Sequence, residues 1–359
     1  MRIDGKAYRT IWRAGPCAVE TIDQTRLPHQ LAFRRLDSLE GAVAAIKTMI
    51  VRGAPLIGAT AAYGLAIALS EAGDEAALQR AYRALLASRP TAVNLKHALD
   101  DVRKVVTPLP PVERGPAAFG RADAICEEDV RLNLAIGEAG FELIAAAHKT
   151  SGRTVNVLTH CNAGWLATVD WGTATAPIYL AHDRGVPVHV YVDETRPRNQ
   201  GAALTAFELG QHGVPFTLIA DNAGGHLMQH GKVDLCIVGA DRITARGDAA
   251  NKIGTYLKAL AARANSVPFY VAAPGTTIDW ATANGRDIEI EERDAREVTH
   301  IWGRLDDGRV AEVMLAPPGA RAANPAFDVT PAELVTGIIT ERGVAPAAAR
   351  ALARLYGRG

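Results

Sequence analysis

Up to about residue 148 the apolar positions recur at three- and four-residue spacing within alanine-rich stretches, the rhythm of helices with one buried stripe. Ser38 is placed to cap a helix running through Ile50, and further helices are predicted over Ala59–Glu71, Asp74–Ala87 and Ala92–Val106. The prolines of Thr107-Pro-Leu-Pro-Pro111 predict a loop, after which a long amphipathic helix runs from Arg121 to His148. The apolar run Leu56–Leu69 is interrupted by Gly58, Tyr63 and Gly64 and is too short to span a bilayer.

From Thr154 the rhythm changes. Continuously apolar, β-branched runs at Val155–Thr159, Val186–Val192, Phe216–Ala220, Leu235–Val238 and Phe269–Ala272 alternate with helical stretches. That alternation predicts a parallel sheet covered on both faces. The fold class is therefore α/β: a mainly helical N-terminal domain over 1–125, then a parallel-sheet domain over 126–359 entered by the long helix. Thr330-Pro-Ala-Glu333 has the form of a capping box and predicts a last helix. In open sheets of this kind ligands sit outside the carboxyl ends of the strands. The polar residues that end these runs, Cys161, Asp193, Asp221 and Asp241, are thus predicted along one rim.

Composition removes several classes of function. Lys+Arg and Asp+Glu both count 39, so no net charge is available for broad binding to nucleic acid or an anionic membrane. Four cysteines without CxxC pairing or zinc spacing fit a reducing compartment and predict no metal site. The N-terminal residues lack a signal-peptide core, which makes the cytoplasm the expected location. Asn222-Ala-Gly-Gly225 follows a strand but does not make GxGxxG, so a dinucleotide cofactor is not predicted.

The candidate chemistry is concentrated in a few places. Cys161 precedes Asn162-Ala-Gly164, read as a turn into a helix whose positive end would favour thiolate. On spacing alone it reads equally as a small buried hydrophobe. Asp241 follows an apolar strand, where desolvation would raise its pKa and suit it to act as an acid; the other reading is a cap on the next loop. Arg52-Gly53-Ala54, Arg89, and Asn251-Lys252 at the start of a helix predicted over Ile253–Ala264 are candidates for holding an anion. Asp193, Asp221 and His160 are read as structural.

In chain order, the motifs are Val51-Arg-Gly-Ala-Pro-Leu-Ile-Gly58, Arg89-Pro-Thr-Ala-Val-Asn-Leu95, Leu158-Thr-His-Cys-Asn-Ala-Gly164, Val192-Asp-Glu-Thr-Arg-Pro197, Gln200-Gly-Ala, Val238-Gly-Ala-Asp-Arg242, Asn251-Lys-Ile-Gly-Thr-Tyr256, Pro268-Phe-Tyr-Val-Ala-Ala-Pro274 and Asn324-Pro-Ala-Phe-Asp-Val-Thr-Pro331. Together they resemble the methylthioribose-1-phosphate isomerase family, which is related to the regulatory subunits of eukaryotic translation initiation factor 2B. The resemblance implies a Rossmann-like C-terminal domain, a homodimer, no cofactor, and isomerisation of 5-methylthioribose 1-phosphate to the ketose in methionine salvage. Carried over by motif, Cys161 and Asp241 are the catalytic pair. Arg52, Gly53, Ala54, Arg89, Gln200, Asn251 and Lys252 match the substrate-binding positions. The chain departs from the usual pattern at Ala245-Arg-Gly-Asp248, at Ala220–Gly225 and around Trp165 and Trp171. A related substrate such as 5-deoxyribose 1-phosphate, or a non-catalytic regulatory subunit on the same fold, are the alternatives.

Overall fold

The structure is a computed structural model that describes residues 1–89 and 92–358. Pro90 and Thr91 of the Arg89–Leu95 motif lie outside the described residues, as does Gly359. Ser38 caps the helix Leu39–Lys47, its Oγ accepting the Gly41 N–H at 3.2 Å. Asp74 likewise caps Glu75–Leu86 through the Ala77 N–H at 2.7 Å. Both side chains satisfy donors that a helix start leaves unpaired.

The helix Ala54–Glu71 is apolar on every face, so it is stable only when surrounded. It is buried from Leu56 to Leu69 and packs on Leu39–Lys47, Glu75–Leu86, Val93–Val106 and the helix Pro111–Ser151. At 18 residues it exceeds the apolar run and is long and apolar enough to cross a membrane by length and composition, but 83% of it is buried in protein. The predicted Arg121–His148 helix is also longer, 41 residues from Pro111 to Ser151, or about 60 Å. Pro111 sits at the first helical position, where a missing N–H costs nothing, and Pro116 removes one bond near the start. Residues 107–110 form the predicted loop, and only the last proline of the cluster, Pro111, opens the helix. Along this helix the packing partner changes. Phe119 and Cys126 join the core of the N-terminal helices, whereas Ile136 and Ile144 join a core against the sheet.

Ahead of the first helix lies an antiparallel sheet of Ile11–Arg13, Val19–Ile22 and Phe33–Leu36, which the helical rhythm does not predict. Strands of three or four residues are too short for alternation to register.

The central sheet has seven strands in the order Gly343–Ala345, Gly337–Thr340, Phe269–Ala272, Leu235–Val238, Val155–Thr159, Val188–Asp193, Phe216–Ile219. All neighbours pair in parallel except the edge hairpin of Gly337–Thr340 with Gly343–Ala345. The chain builds outward from Val155–Thr159 through two strands, then crosses over to Leu235–Val238 on its other side. The order reverses between those two strands, and that reversal opens a crevice at their carboxyl ends. A smaller sheet of Ile278–Asp279, Arg242–Thr244, Ala249–Lys252 and Phe327–Thr330 extends the second side.

The helix predicted from Thr330-Pro-Ala-Glu333 does not form. Thr330 pairs with Ala249 as the end of a strand, and Asp248 Oδ1, not Thr330, accepts the Ala332 N–H at 2.9 Å. One 3₁₀ turn, Ala332–Leu334, follows, and the last helix is Ala349–Leu355. Strand pairing outcompetes the local capping signal.

Candidate active site

Cys161 and Asp241 lie in the loops that follow the two strands flanking the crevice. Gly239 lets their loops approach: a Cβ on it would lie 2.5 Å from the Ala163 Cβ. Cys161, Asp241, Arg52, Arg89 and Lys252 line one cleft of about 100 Å³. Gly53, Ala54, Gln200 and Asn251 line it as well, so every candidate residue reaches the same cavity.

Cys161 adopts φ 65, a left-handed conformation that a side chain disfavours. Its backbone is pinned on both sides: its N–H donates to Thr195 Oγ1 at 2.7 Å, and its carbonyl accepts from Thr205 Oγ1 at 2.7 Å. Thr195 is itself at φ 66, an outlier for a β-branched residue. Such surroundings hold the strained residue in place. The thiol is 6% exposed and donates to Gln200 Oε1 at 3.3 Å.

The expected helix start after Cys161 is absent. The chain makes only the 3₁₀ turn Trp165–Ala167, and the next α-helix begins at Ala176. No macrodipole favours the thiolate here. Burial pushes the Cys161 thiol up, more than the Arg52 and Lys252 charges pull it down. The resting group is a neutral thiol, not the predicted thiolate.

Asp241 behaves as predicted: burial raises its carboxyl, against the pull of Lys252, Arg52 and Arg89, with Glu291 adding to the rise. Lys252 is the last residue of the strand Ala249–Lys252 and not the opening of a helix. The helix begins at Thr255, and Asp328 already accepts the Gly254 and Tyr256 N–H groups at 2.7 and 3.0 Å. Those two donors of the helix start are therefore taken and not offered to the cleft. The ammonium of Lys252 faces the Phe327 ring at 4.6 Å, and burial lowers its pKa. Asn251 is tied to Thr255 Oγ1 at 3.0 Å.

Arg52 is 8% exposed and held by one residue. Its Nη2 donates to the Asn162 carbonyl at 2.8 Å and its Nη1 to Asn162 Oδ1. The Asn162 amide in turn donates to Glu208 Oε1 at 2.9 Å and to Thr205 Oγ1 at 3.1 Å. Glu208 also takes the Trp165 and Leu166 N–H groups and the Tyr179 hydroxyl, at 3.1, 2.9 and 3.0 Å. Burial pushes its carboxyl up to about 7, partly offset by those donors. Nothing in its helical sequence context marks Glu208, so sequence reasoning misses it. Arg89 reaches Glu291 at 3.4 Å.

His160, Asp193 and Asp221 come within 4.8 Å of one another, a grouping invisible in their spacing. His160 Nδ1 lies 2.8 Å from Asp193 Oδ2 and Nε2 2.9 Å from the Ile253 carbonyl. Lys258 Nζ reaches Asp193 Oδ2 at 3.0 Å, and Asp221 accepts the Thr195 and Arg196 N–H groups at 2.7 Å each. The cluster braces the loops behind Cys161, in line with the structural reading of all three.

With the crevice, the paired Cys161 and Asp241 and the three cations in place, comparison with known proteins is decisive. A profile of the initiation factor 2 subunit family matches residues 50–347. The methylthioribose-1-phosphate isomerase of Methylorubrum populi is 65% identical over 358 residues, covering 99% of this chain and 98% of that one. The chain belongs to this family. The crystal structure of 5-methylthioribose 1-phosphate isomerase from Pyrococcus horikoshii OT3 superposes with a TM-score of 0.85 at 41% identity, covering 99% of this chain and 97% of that one. A structure described as the delta subunit of translation initiation factor eIF-2B from A. fulgidus gives 0.81 at 39% identity, covering 98% and 100%. Arg246, Asn222, Trp165 and Trp171 are not among the described residues lining the cleft, although Ala167, Thr168 and Thr173 beside the two tryptophans are. Arg246 is exposed on the turn before Ala249–Lys252.

Proposed function

We propose that this chain isomerises 5-methylthioribose 1-phosphate to 5-methylthioribulose 1-phosphate, the aldose–ketose step of methionine salvage. One observation carries the proposal: a carboxyl whose pKa burial raises and a buried thiol share a cleft with Arg52, Arg89 and Lys252. A sugar phosphorylated at its anomeric carbon is not a hemiacetal and cannot open by losing a hydroxyl proton. Its ring oxygen must be protonated instead, which calls for an acid that keeps its proton near neutral pH. Asp241 is assigned that role. The carbon–oxygen bond of the ring then breaks, and hydrogen passes from C2 to C1.

Two routes complete the step. In one, Cys161 as thiolate takes the C2 proton and the enol is reprotonated at C1. In the other, hydride moves directly, and Cys161 and Asp241 handle only oxygen-bound protons. Arg52, Arg89 and Lys252 are assigned to the phosphate, with Gly53, Ala54, Gln200 and Asn251 completing the binding surface. A regulatory subunit without catalysis has no use for Cys161 and Asp241 facing one cavity, which supports the enzymatic reading. We also take the chain to be a cytoplasmic homodimer with a Rossmann-like second domain and a domain boundary near residue 125. The exposed Tyr256, Leu257 and Leu260 on the helix Thr255–Ala264, and buried free thiols at Cys126, Cys161 and Cys236, support the dimer and the compartment respectively.

The test is to incubate the purified protein with 5-methylthioribose 1-phosphate in D₂O and follow the products by NMR. The ketose should appear, without deuterium at C1 if hydride shifts. No ketose would refute the function, and deuterium at C1 would select the proton route.

A further inference from the structure

We propose that Glu291 is a placeholder carboxylate, holding Arg89 while the cleft is empty and yielding it to the substrate's phosphate. The inference rests on reading the cleft as a sugar-phosphate site. Glu291 Oε1 accepts from Arg293 Nη1 at 2.9 Å, whereas Oε2 reaches Arg89 Nη2 only at 3.4 Å. Arg293 is fixed a second time, by Glu297 at 2.7 and 3.0 Å, and so stays on its carboxylates. The main chain of Glu291 is anchored too, its carbonyl accepting the Ala326 N–H at 2.8 Å. The contact with Arg89 is therefore the one that gives way.

The arrangement follows from charge. Arg52, Arg89 and Lys252 together in a narrow cleft repel one another and are poorly hydrated. Glu291 offsets one of them until a ligand arrives. A phosphate ester carrying two charges and several acceptor oxygens competes better for a guanidinium than a single carboxylate at 3.4 Å. Arg89 then changes partner, while Glu291 keeps Arg293. The device lowers affinity for every anion that must take Arg89 from Glu291. It has a second consequence at Asp241, whose proton the nearby negative charge of Glu291 helps to retain.

The experiment measures inorganic phosphate binding by calorimetry in an anion-poor buffer, for the wild type, Glu291→Gln and Glu291→Ala. Removing the carboxylate should tighten phosphate roughly two- to fivefold, the worth of a loose, partly exposed ion pair. The gain should vanish when Arg89 is changed to Met in the same background. With substrate, Glu291→Gln should lower KM, and the high-pH limb of kcat should move to lower pH as Asp241 loses its proton earlier. Unchanged or weaker phosphate binding in both variants overturns the placeholder, as does a gain that persists without Arg89. If the wild type isomerises its substrate but Glu291→Gln tightens nothing, only the placeholder falls. If the wild type neither binds phosphate nor turns over, the reading of the cleft falls with it.

Discussion

Gly53 offers the sharpest test of how the fold holds the cleft. It precedes the helix Ala54–Glu71 at φ 91, where a side chain is disfavoured. A Cβ built on it lies 2.4 Å from the Ala167 carbonyl oxygen and 2.6 Å from both the Ala167 Cα and Cβ. None of these atoms belongs to a flexible side chain, so Gly53→Ala forces backbone to move. The left-handed conformation costs about 1–2 kcal/mol, and overpacking typically adds ~1–3 kcal/mol. The expected loss of stability is therefore roughly 2–5 kcal/mol. Gly152 separates the two contributions, because it has φ 66 and nothing within 4 Å of its Cβ position. Gly152→Ala should show the conformational cost alone, about 1–2 kcal/mol. The steric part has a functional direction. Ala167 belongs to the same loop as Asn162, and separating that loop from residue 53 stretches the 2.8 Å bond between Arg52 and the Asn162 carbonyl. Urea unfolding and phosphate titration read the two effects. Gly53→Ala should lose more stability than Gly152→Ala and bind phosphate at least about tenfold more weakly, since ~1.4 kcal/mol of lost contact suffices. A Gly53→Ala protein within ~0.5 kcal/mol of wild type, with unchanged phosphate affinity, would refute the close-approach argument.

Further predictions concern the chemistry and its pH dependence. Cys161→Ser should lower kcat by ~10²–10⁴-fold with folding intact, whereas Cys17→Ser and Cys236→Ser remain active; more than about a tenth of wild-type kcat in Cys161→Ser removes it from the mechanism. Asp241→Asn should bind substrate but not turn it over, because an amide cannot protonate the ring oxygen, and a variant with lost binding and retained kcat would make Asp241 a binding residue. Burial raises the Glu208 and Asp129 carboxyls to about 7. Unfolded, both titrate near ~4, so each contributes stability that is complete below that pH and lost as pH rises towards about 7. The slope is about 1.4 kcal/mol per pH unit for each group inside that window. Urea midpoints measured from pH 5 to 7 should therefore depend less on pH in Glu208→Gln and Asp129→Asn, and an unchanged dependence contradicts the assigned protonation.

What was legible in the chain follows from the range over which each signal acts. The strands Val155–Thr159, Leu235–Val238 and Phe269–Ala272 appear as predicted, because a strand buried on both faces must be apolar along its whole length. The rim of polar residues follows from those strands and their common direction. The signals that failed were local ones overruled by distant pairing. Thr330-Pro-Ala-Glu333 looks like a helix start, but Phe327–Thr330 is recruited into a sheet by Ala249–Lys252. Asn251-Lys252 looked like a helix opening, yet Asp328, 74 residues from Gly254, caps that helix. The strand pattern puts Cys161 on the rim, but its protonation depends on burial and on Arg52, 109 positions away, which no local spacing encodes.

The same long-range dependence suggests why the cleft waits for an anion. Burial works against charge on each of its four central groups: it raises Cys161 and Asp241 and lowers Arg52 and Lys252. The two cations oppose the first pair of shifts, and the two acids oppose the second, so the empty cleft is a balance between partly compensated charges. A phosphate dianion enters that balance on one side only. It stabilises the charged forms of Arg52 and Lys252, and by repulsion it raises Asp241 and Cys161 further. Substrate binding thus strengthens the hold of Asp241 on the proton that the ring oxygen requires. A sugar lacking the phosphate would occupy the same space without bringing the acid into that state. The phosphate is then part of the chemistry, and free ribose should be inert for that reason as well as for want of binding energy.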